Sequence, residues 1–81
     1  MNHVLWEFKR SPRETFRVSL GESQGRAFVD LRIWQLDSTT GKPEASTFGV
    51  NVWAEQLADV IAALSVAAQH IALTVSPNGT R

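Results

Sequence analysis

The segment from Arg26 to Leu36, with the sequence RAFVDLRIWQL, constrains the fold of this chain more than any other. Successive side chains of a strand point to opposite faces of a sheet. One face of this strand would be aliphatic and would need a core, with Ala27, Val29, Leu31 and Ile33. The other face would mix cations with aromatic rings, namely Arg26, Phe28, Arg32 and Trp34. A face of the second kind suits single-stranded nucleic acid, where rings stack on bases and cations meet phosphates.

Alternating patterns predict three further strands, over residues 4–9, Thr15–Leu20 and Thr47–Val52. The residues between Asp37 and Ser46 are rich in turn formers and are predicted to form a loop. An amphipathic helix is predicted from about Ala54 to His70, and a short extended segment over Ile71–Val75. The order predicts an α+β fold, in which a four-stranded antiparallel sheet is followed by a C-terminal helix.

The length of the chain favours assembly. The chain has 81 residues and no cysteine, so it forms one domain whose core has no disulfide to support it. We expect the domain to span residues 1–75, a frayed tail to span residues 76–81, and two copies to form a homodimer. The apolar stripe of the helix is the expected dimer interface, with Leu57, Val60, Ile61 and Leu64.

Charge and motif content limit the function classes. Eight basic and eight acidic residues give a formal net charge of zero, and seven of the basic residues lie before residue 43. No nucleophile–base arrangement, phosphate loop or metal-ligand cluster stands out, so no enzymatic activity, cofactor or metal is expected. The N-terminus lacks a secretory signal and no uninterrupted apolar run reaches membrane length, so we expect a cytoplasmic protein without a membrane partner.

Two interpretations of the arginine and aromatic residues stay open on periodicity alone. In one, they contact a ligand, and Arg17 joins them if the second and third strands pair as a simple hairpin. In the other, Phe28 and Trp34 are core or dimer contacts, while Arg26, Asp30 and Arg32 pair across strands. Lys42 at the loop tip is equally ambiguous. Trp53 precedes the helix and is expected to pack at its entry.

The residues from Gly25 to Leu64 resemble the C-terminal domain of the transcriptional coactivator positive cofactor four (PC4) and its small bacterial relatives. The resemblance rests on the order and spacing of short motifs. They are Val29-Asp30-Leu31-Arg32, Trp34, Asp37, Lys42-Pro43, and Gly49-Val50 leading into a helix with Glu55-Gln56-Leu57. Arg26 and Arg32 match basic residues of the family's binding strand, and Lys42 approximately matches a loop lysine.

This resemblance implies a homodimer whose two sheets form one surface for single-stranded or unwound DNA. It also implies a role in transcription regulation or DNA maintenance, association with the transcription machinery, and a nucleoid location in a bacterium. Residues 44–48, EASTF, replace a basic run of the family, which predicts weak to moderate affinity. RNA is not distinguished from DNA. The alternative is a protein-interaction or assembly module that keeps the fold and has little affinity for nucleic acid.

Overall fold

The fold is a four-stranded antiparallel meander followed by one helix. The computed structural model describes residues 3–74. The strands are β1 (His3–Ser11), β2 (Glu14–Ser23), β3 (Arg26–Leu36) and β4 (Pro43–Trp53), and the helix is α1 (Ala54–Thr74). Neighbours in sequence are neighbours in the sheet, in the order β1-β2-β3-β4. The predicted fold class is therefore confirmed for one chain.

The structure extends several of the predicted elements. β3 has the predicted bounds, whereas β4 begins at Pro43 and reduces the predicted loop to residues 37–42. The prediction of an extended segment after His70 is wrong for residues 71–74, which continue α1. The β-branched residues there suggested a strand, but no Gly or Pro stops the helix before Pro77. Val75 and the predicted tail, residues 76–81, lie outside the described residues.

The β2–β3 hairpin sets the register of the sheet. Its two turn residues, Gln24 and Gly25, have φ angles of 53° and 80°. Positive φ at both central positions is typical of a type I′ turn, whose twist matches that of the flanking strands. The turn pairs Ser23 with Arg26 and, further along, places Arg17 directly opposite Arg32.

The two faces of the sheet differ in character. Residues that pair across strands share a face, so one row joins Trp6, Val18, Leu31 and Val50. A second row on the same side joins Phe8, Phe16 and Ile33. We call this side the apolar face. Its aromatic rings contact one another, because the Trp6 and Phe8 centroids are 5.4 Å apart and those of Phe8 and Phe16 are 5.5 Å apart.

A single chain covers little of its own apolar surface. Within residues 3–74, the buried hydrophobic side chains are Ile33 and Val52. The helix contacts β3 and β4 but buries none of its residues. Trp6, Phe48 and Val50 are each more than half exposed. The isolated chain therefore has a much smaller core than its content of apolar residues would allow.

By length and composition alone, α1 is long and apolar enough to cross a membrane. An 18-residue window of this helix has a mean hydropathy of 1.5, and no part of the window is buried. The sequence expectation considered uninterrupted apolar runs, whereas this window average tolerates the charged residues near its start. One such helix is weak evidence, because core helices of soluble proteins reach the same value, although those helices are mostly buried and α1 is not in the single chain. The absence of a membrane partner stays a prediction.

Candidate nucleic-acid interface

The face opposite the apolar face carries the arginine and aromatic residues of the sheet. One row across the strands joins Glu7, Arg17, Arg32 and Gly49. A second joins Lys9, Thr15, Trp34 and Ala45, and a third joins Gly21, Phe28 and Trp53. We call this side the arginine–aromatic face. It brings together Arg17, Arg26, Phe28, Arg32 and Trp34 of the predicted site.

Arg17 and Trp34 form a stacked pair near one end of this face. The guanidinium carbon of Arg17 lies 4.2 Å from the centre of the Trp34 ring. Its Nε donates a hydrogen bond to the Glu7 carboxylate at 2.8 Å. The Arg17 side chain is 20% exposed and that of Glu7 is 46% exposed. Arg17 is therefore held by the Trp34 ring and by the partly exposed carboxylate of Glu7.

A second stacked pair lies at the other end, where β4 meets the helix. The guanidinium carbon of Arg26 lies 4.2 Å from the centre of the Trp53 ring. Trp53 also contacts Phe28 edge to face, with ring centres 5.2 Å apart. Arg26 forms an ion pair with Glu55 in the first helical turn, and both side chains are more than half exposed. Hydrogen bonding to its own backbone N–H, together with Arg26, lowers the pKa of Glu55.

Arg32 lies between the two stacks and, unlike Arg17 and Arg26, bonds both to a carboxylate and to a backbone carbonyl. Its Nε donates to both oxygens of Asp30 at 3.1 Å, and its Nη1 donates to the Ser46 carbonyl at 2.9 Å. The side chains of Arg32 and Asp30 are 21% and 14% exposed. Arg32 sits directly opposite Arg17. The carboxylates of Asp30 and Glu7, which pair with these two arginines, therefore also reduce the repulsion between the two guanidinium groups.

The face is electrostatically compensated. Each of its three arginines is paired with a carboxylate, from Glu7, Asp30 and Glu55. Among the described ion pairs, none involves Lys9, which shares a row with Trp34 and donates from Nζ to the Pro12 carbonyl at 3.3 Å. Lys42 is exposed in the loop between β3 and β4, at the Trp34 end of the sheet. The structure does not place Lys42 among the stacked side chains.

Trp53 is the residue of this face that the sequence prediction omitted. It was expected to pack at the helix entry, but it shares the row of Phe28 and lies under Arg26. The signal was present in the sequence, because Gly49, Asn51 and Trp53 alternate along β4. The prediction missed Trp53 because it ended the strand at Val52. The observed β4 includes Trp53 as its last residue.

The four predicted interface residues of the helix fall into two groups. Leu57 and Val60 are half-buried within the chain. Ile61 and Leu64 are 55% and 61% exposed. The first two therefore already pack against the rest of the chain, and the last two are free to contact a second copy.

Within residues 3–74, no three metal-ligating side chains lie close enough together to hold a metal ion. The side chains that distinguish this fold are instead two arginine–tryptophan stacks on one sheet face. The fold and this face define a small antiparallel-sheet protein with a C-terminal helix and a sheet surface of aromatic rings and paired arginines.

Comparison with solved structures places this fold beside PC4 homologs. The chain is similar to the crystal structure of a PC4 homolog from Burkholderia pseudomallei in its tetragonal form, at 26% identity and a TM-score of 0.73. That match covers 84% of this chain and 98% of the other. The orthorhombic form gives 27% identity, a TM-score of 0.71, and coverage of 83% and 89%. The resemblance to small bacterial relatives of PC4 is confirmed.

No protein-family model matches the chain, and no curated protein matches it. The similarity to PC4 homologs is therefore a similarity of structure.

Proposed function

We propose that a homodimer of this chain binds single-stranded nucleic acid without sequence preference, through the arginine–aromatic face. The observation that carries the proposal is the pair of arginine–tryptophan stacks on one face, each with a guanidinium carbon 4.2 Å from a ring centre. Rings offer stacking surfaces to any base, and adjacent arginines offer donors to phosphates. The similarity to PC4 homologs supports the same function.

In the proposed mechanism, phosphates replace carboxylates as partners of the arginines. Arg17 and Arg26 donate to Glu7 and Glu55 in the free protein, and both acids are more than two-fifths exposed. A phosphate oxygen accepts the same charge-assisted hydrogen bonds, so the N–H donors of each arginine still have an acceptor after the exchange. The net gain per contact is small because one ion pair is lost for each one formed. We therefore infer weak to moderate affinity.

The two stacks define the length of the bound strand. Phe28 and Trp34 are six residues apart on β3, which is about 20 Å at the usual rise of a strand. A stacked strand carries one phosphate per about 3.4 Å, so roughly six nucleotides would span both stacks. The proposal includes Lys42 as a peripheral phosphate contact, since it lies at the Trp34 end and is exposed.

The dimer belongs to the same proposal. The apolar face and the helix leave Trp6, Phe48, Ile61 and Leu64 more than half exposed, which is unusual for a soluble domain that stays monomeric. A second copy that covered this surface would leave the arginine–aromatic face of each chain available for nucleic acid. Roles in transcription regulation or DNA maintenance, in the cytoplasm, complete the proposal.

A titration with labelled oligo-dT tests the proposal, with the double variant Arg17→Ala/Arg26→Ala beside the wild type. The matched control is Arg10→Ala, because Arg10 also pairs with an acid, Glu14, and this acid lies opposite Gln35, outside the rows of the arginine–aromatic face. We expect the double variant to bind at least about tenfold more weakly and the control to bind like the wild type. A wild type that does not bind at low salt would refute the proposal.

The second candidate is a protein-interaction or assembly module. One observation favours it, namely that all three arginines of the face already have carboxylate partners. In that case the ion pairs only stabilise the sheet, and both the wild type and the double variant would fail to bind oligo-dT. The titration therefore separates the two functions.

A further inference from the structure

We propose that Arg32 is a positioning residue, which holds the irregular part of β4 in place and supports the binding face without contacting phosphate. The consequence for affinity rests on the proposed function, whereas the structural role of Arg32 can be tested without nucleic acid. Alternation along the predicted strands placed Arg32 on the same face as Arg17 and Arg26 and did not distinguish it from them. The structure assigns it a different set of partners.

Most of the guanidinium of Arg32 is occupied. A guanidinium has five N–H donors in a fixed plane. Nε donates to Asp30 at 3.1 Å, Nη2 lies 3.0 Å from Asp30 Oδ1, and Nη1 donates to the Ser46 carbonyl at 2.9 Å. All three nitrogens are thus engaged, with a carboxylate on one side and a backbone carbonyl on the other. Arg17 and Arg26, in contrast, have no hydrogen bond to a carbonyl among the described residues.

The Ser46 carbonyl belongs to an irregularity in β4. The register passes from Arg32–Gly49 to Trp34–Ala45, so residues 46–48 face the single residue Ile33. Such a bulge interrupts the ladder and leaves backbone groups without their usual partners. Ser46 Oγ donates to the Ile33 carbonyl at 2.7 Å, and Phe48 N donates to Ser46 Oγ at 3.0 Å. The Arg32 bond to the Ser46 carbonyl completes this set.

Gly49 provides the space that Arg32 occupies. A Cβ added at Gly49 would lie 2.9 Å from Cζ of Arg32 and 2.7 Å from the Leu31 carbonyl oxygen. Any larger residue would displace the guanidinium or the neighbouring strand. The short distance to Cζ shows that the guanidinium lies over the backbone of β4 at Gly49.

Asp30→Asn is a test of this role, because the two possible roles of Arg32 predict opposite changes in the affinity for nucleic acid. If Asp30 merely competed with phosphate for Arg32, Asp30→Asn would free Arg32 and tighten binding. If Arg32 positions β4, Asp30→Asn removes part of its anchor and weakens binding. Asparagine has the shape of aspartate, so the change alters charge and hydrogen bonding more than packing.

The experiment measures the affinity for oligo-dT across a range of salt concentrations. For Asp30→Asn and Arg32→Gln we expect a loss of roughly fivefold or more, with the salt slope of the wild type. For Arg17→Gln we expect a loss together with a slope that is smaller by about 0.7, the value for one phosphate contact. Tighter binding by Asp30→Asn, or a reduced slope for Arg32→Gln, would overturn the assignment.

Hydrogen exchange of the free protein supplies the measurement that does not depend on binding. The Phe48 amide should exchange faster in Arg32→Gln and in Gly49→Ala than in the wild type, while amides of the β1–β2 ladder stay protected. Arg32→Lys should not restore protection, because an ammonium cannot bridge a carboxylate and a carbonyl as a planar fork does. Unchanged exchange at Phe48 would refute the positioning role. If the wild type fails to bind but Phe48 exchanges faster, only the proposed function fails.

Discussion

At the scale of single residues, the three arginines of the face are not equivalent. The sequence predicted that they share a face, because alternation along β3 and a simple hairpin with β2 require it. Pairing of Arg32 with Asp30 belonged to one of the two interpretations that the sequence left open. The partners of Arg17 and Arg26 could not be predicted, since Glu7 and Glu55 lie 10 and 29 residues from them. Whether each arginine can bind a phosphate depends on how readily its present partner can be replaced. The exposed acids make Arg17 and Arg26 exchangeable, whereas Asp30 and Ser46 enclose Arg32.

The exchange mechanism predicts a gain of affinity from removing an acid. Glu7→Gln and Glu55→Gln should each tighten binding to oligo-dT by about two- to fivefold, because an exposed ion pair no longer competes with phosphate. Glu22→Gln is the matched control, since it changes the net charge equally but has no described ion pair. An equal gain in all three variants would show a general charge effect and would argue against exchange.

At the scale of elements, hydrophobic alternation located the four strands and the helix, but among the described elements only β3 has the bounds that were predicted. β3 was predicted to its limits because turn residues flank it on both sides. β4 was predicted too short, because Pro43 and Glu44 resemble loop residues although they pair with Leu36 and Gln35. Pairing with an established neighbour overrode the local propensity of those residues.

The β2–β3 turn gives a prediction for stability. Gln24 has a φ of 53°, a conformation that costs a residue with a Cβ about 1–2 kcal/mol and that asparagine tolerates better. Gln24→Asn should therefore raise the free energy of unfolding by roughly 0.5–1 kcal/mol, measured by urea denaturation. A Gln24→Ala variant should show no such gain. Destabilisation by asparagine would contradict the type I′ assignment.

The β3–β4 loop gives a prediction for pH dependence. The charge of Asp37 raises the pKa of Glu44, while the Thr39 N–H lowers the pKa of Asp37. Because folding favours the protonated form of Glu44, its ionisation reduces stability as the pH rises from the ordinary pKa of a glutamate through the raised pKa. Glu44→Gln should therefore raise the melting temperature at pH 7, and the gain should vanish as the pH falls through that pKa. A gain that persists at low pH would contradict this coupling.

At the scale of the whole molecule, the single chain leaves many of its large apolar side chains exposed. Its dimensions are 43 × 34 × 18 Å, and its helix has no buried residue. Length and the absence of cysteine predicted the need for a partner. The sequence could not predict how much of the apolar surface would stay uncovered, since that depends on how few contacts α1 makes with the sheet.

The dimer can be tested by charge substitutions on the helix. Ile61→Asp/Leu64→Asp should produce monomers in analytical ultracentrifugation at micromolar concentration, because the charges would be buried in the proposed interface. Ala62→Asp is the control, since it introduces a charge on another side of the same helix. A wild type that sediments as a monomer would contradict the dimer proposal.

The position of the three tryptophans allows the central claim to be tested in one measurement. Trp34 and Trp53 lie on the arginine–aromatic face, and Trp6 lies on the apolar face. Their indole N–H signals can be followed by NMR while oligo-dT is added. We predict that the signals of Trp34 and Trp53 shift with the titration and that of Trp6 does not. Shifts at Trp6 with none at Trp34 and Trp53 would contradict the account.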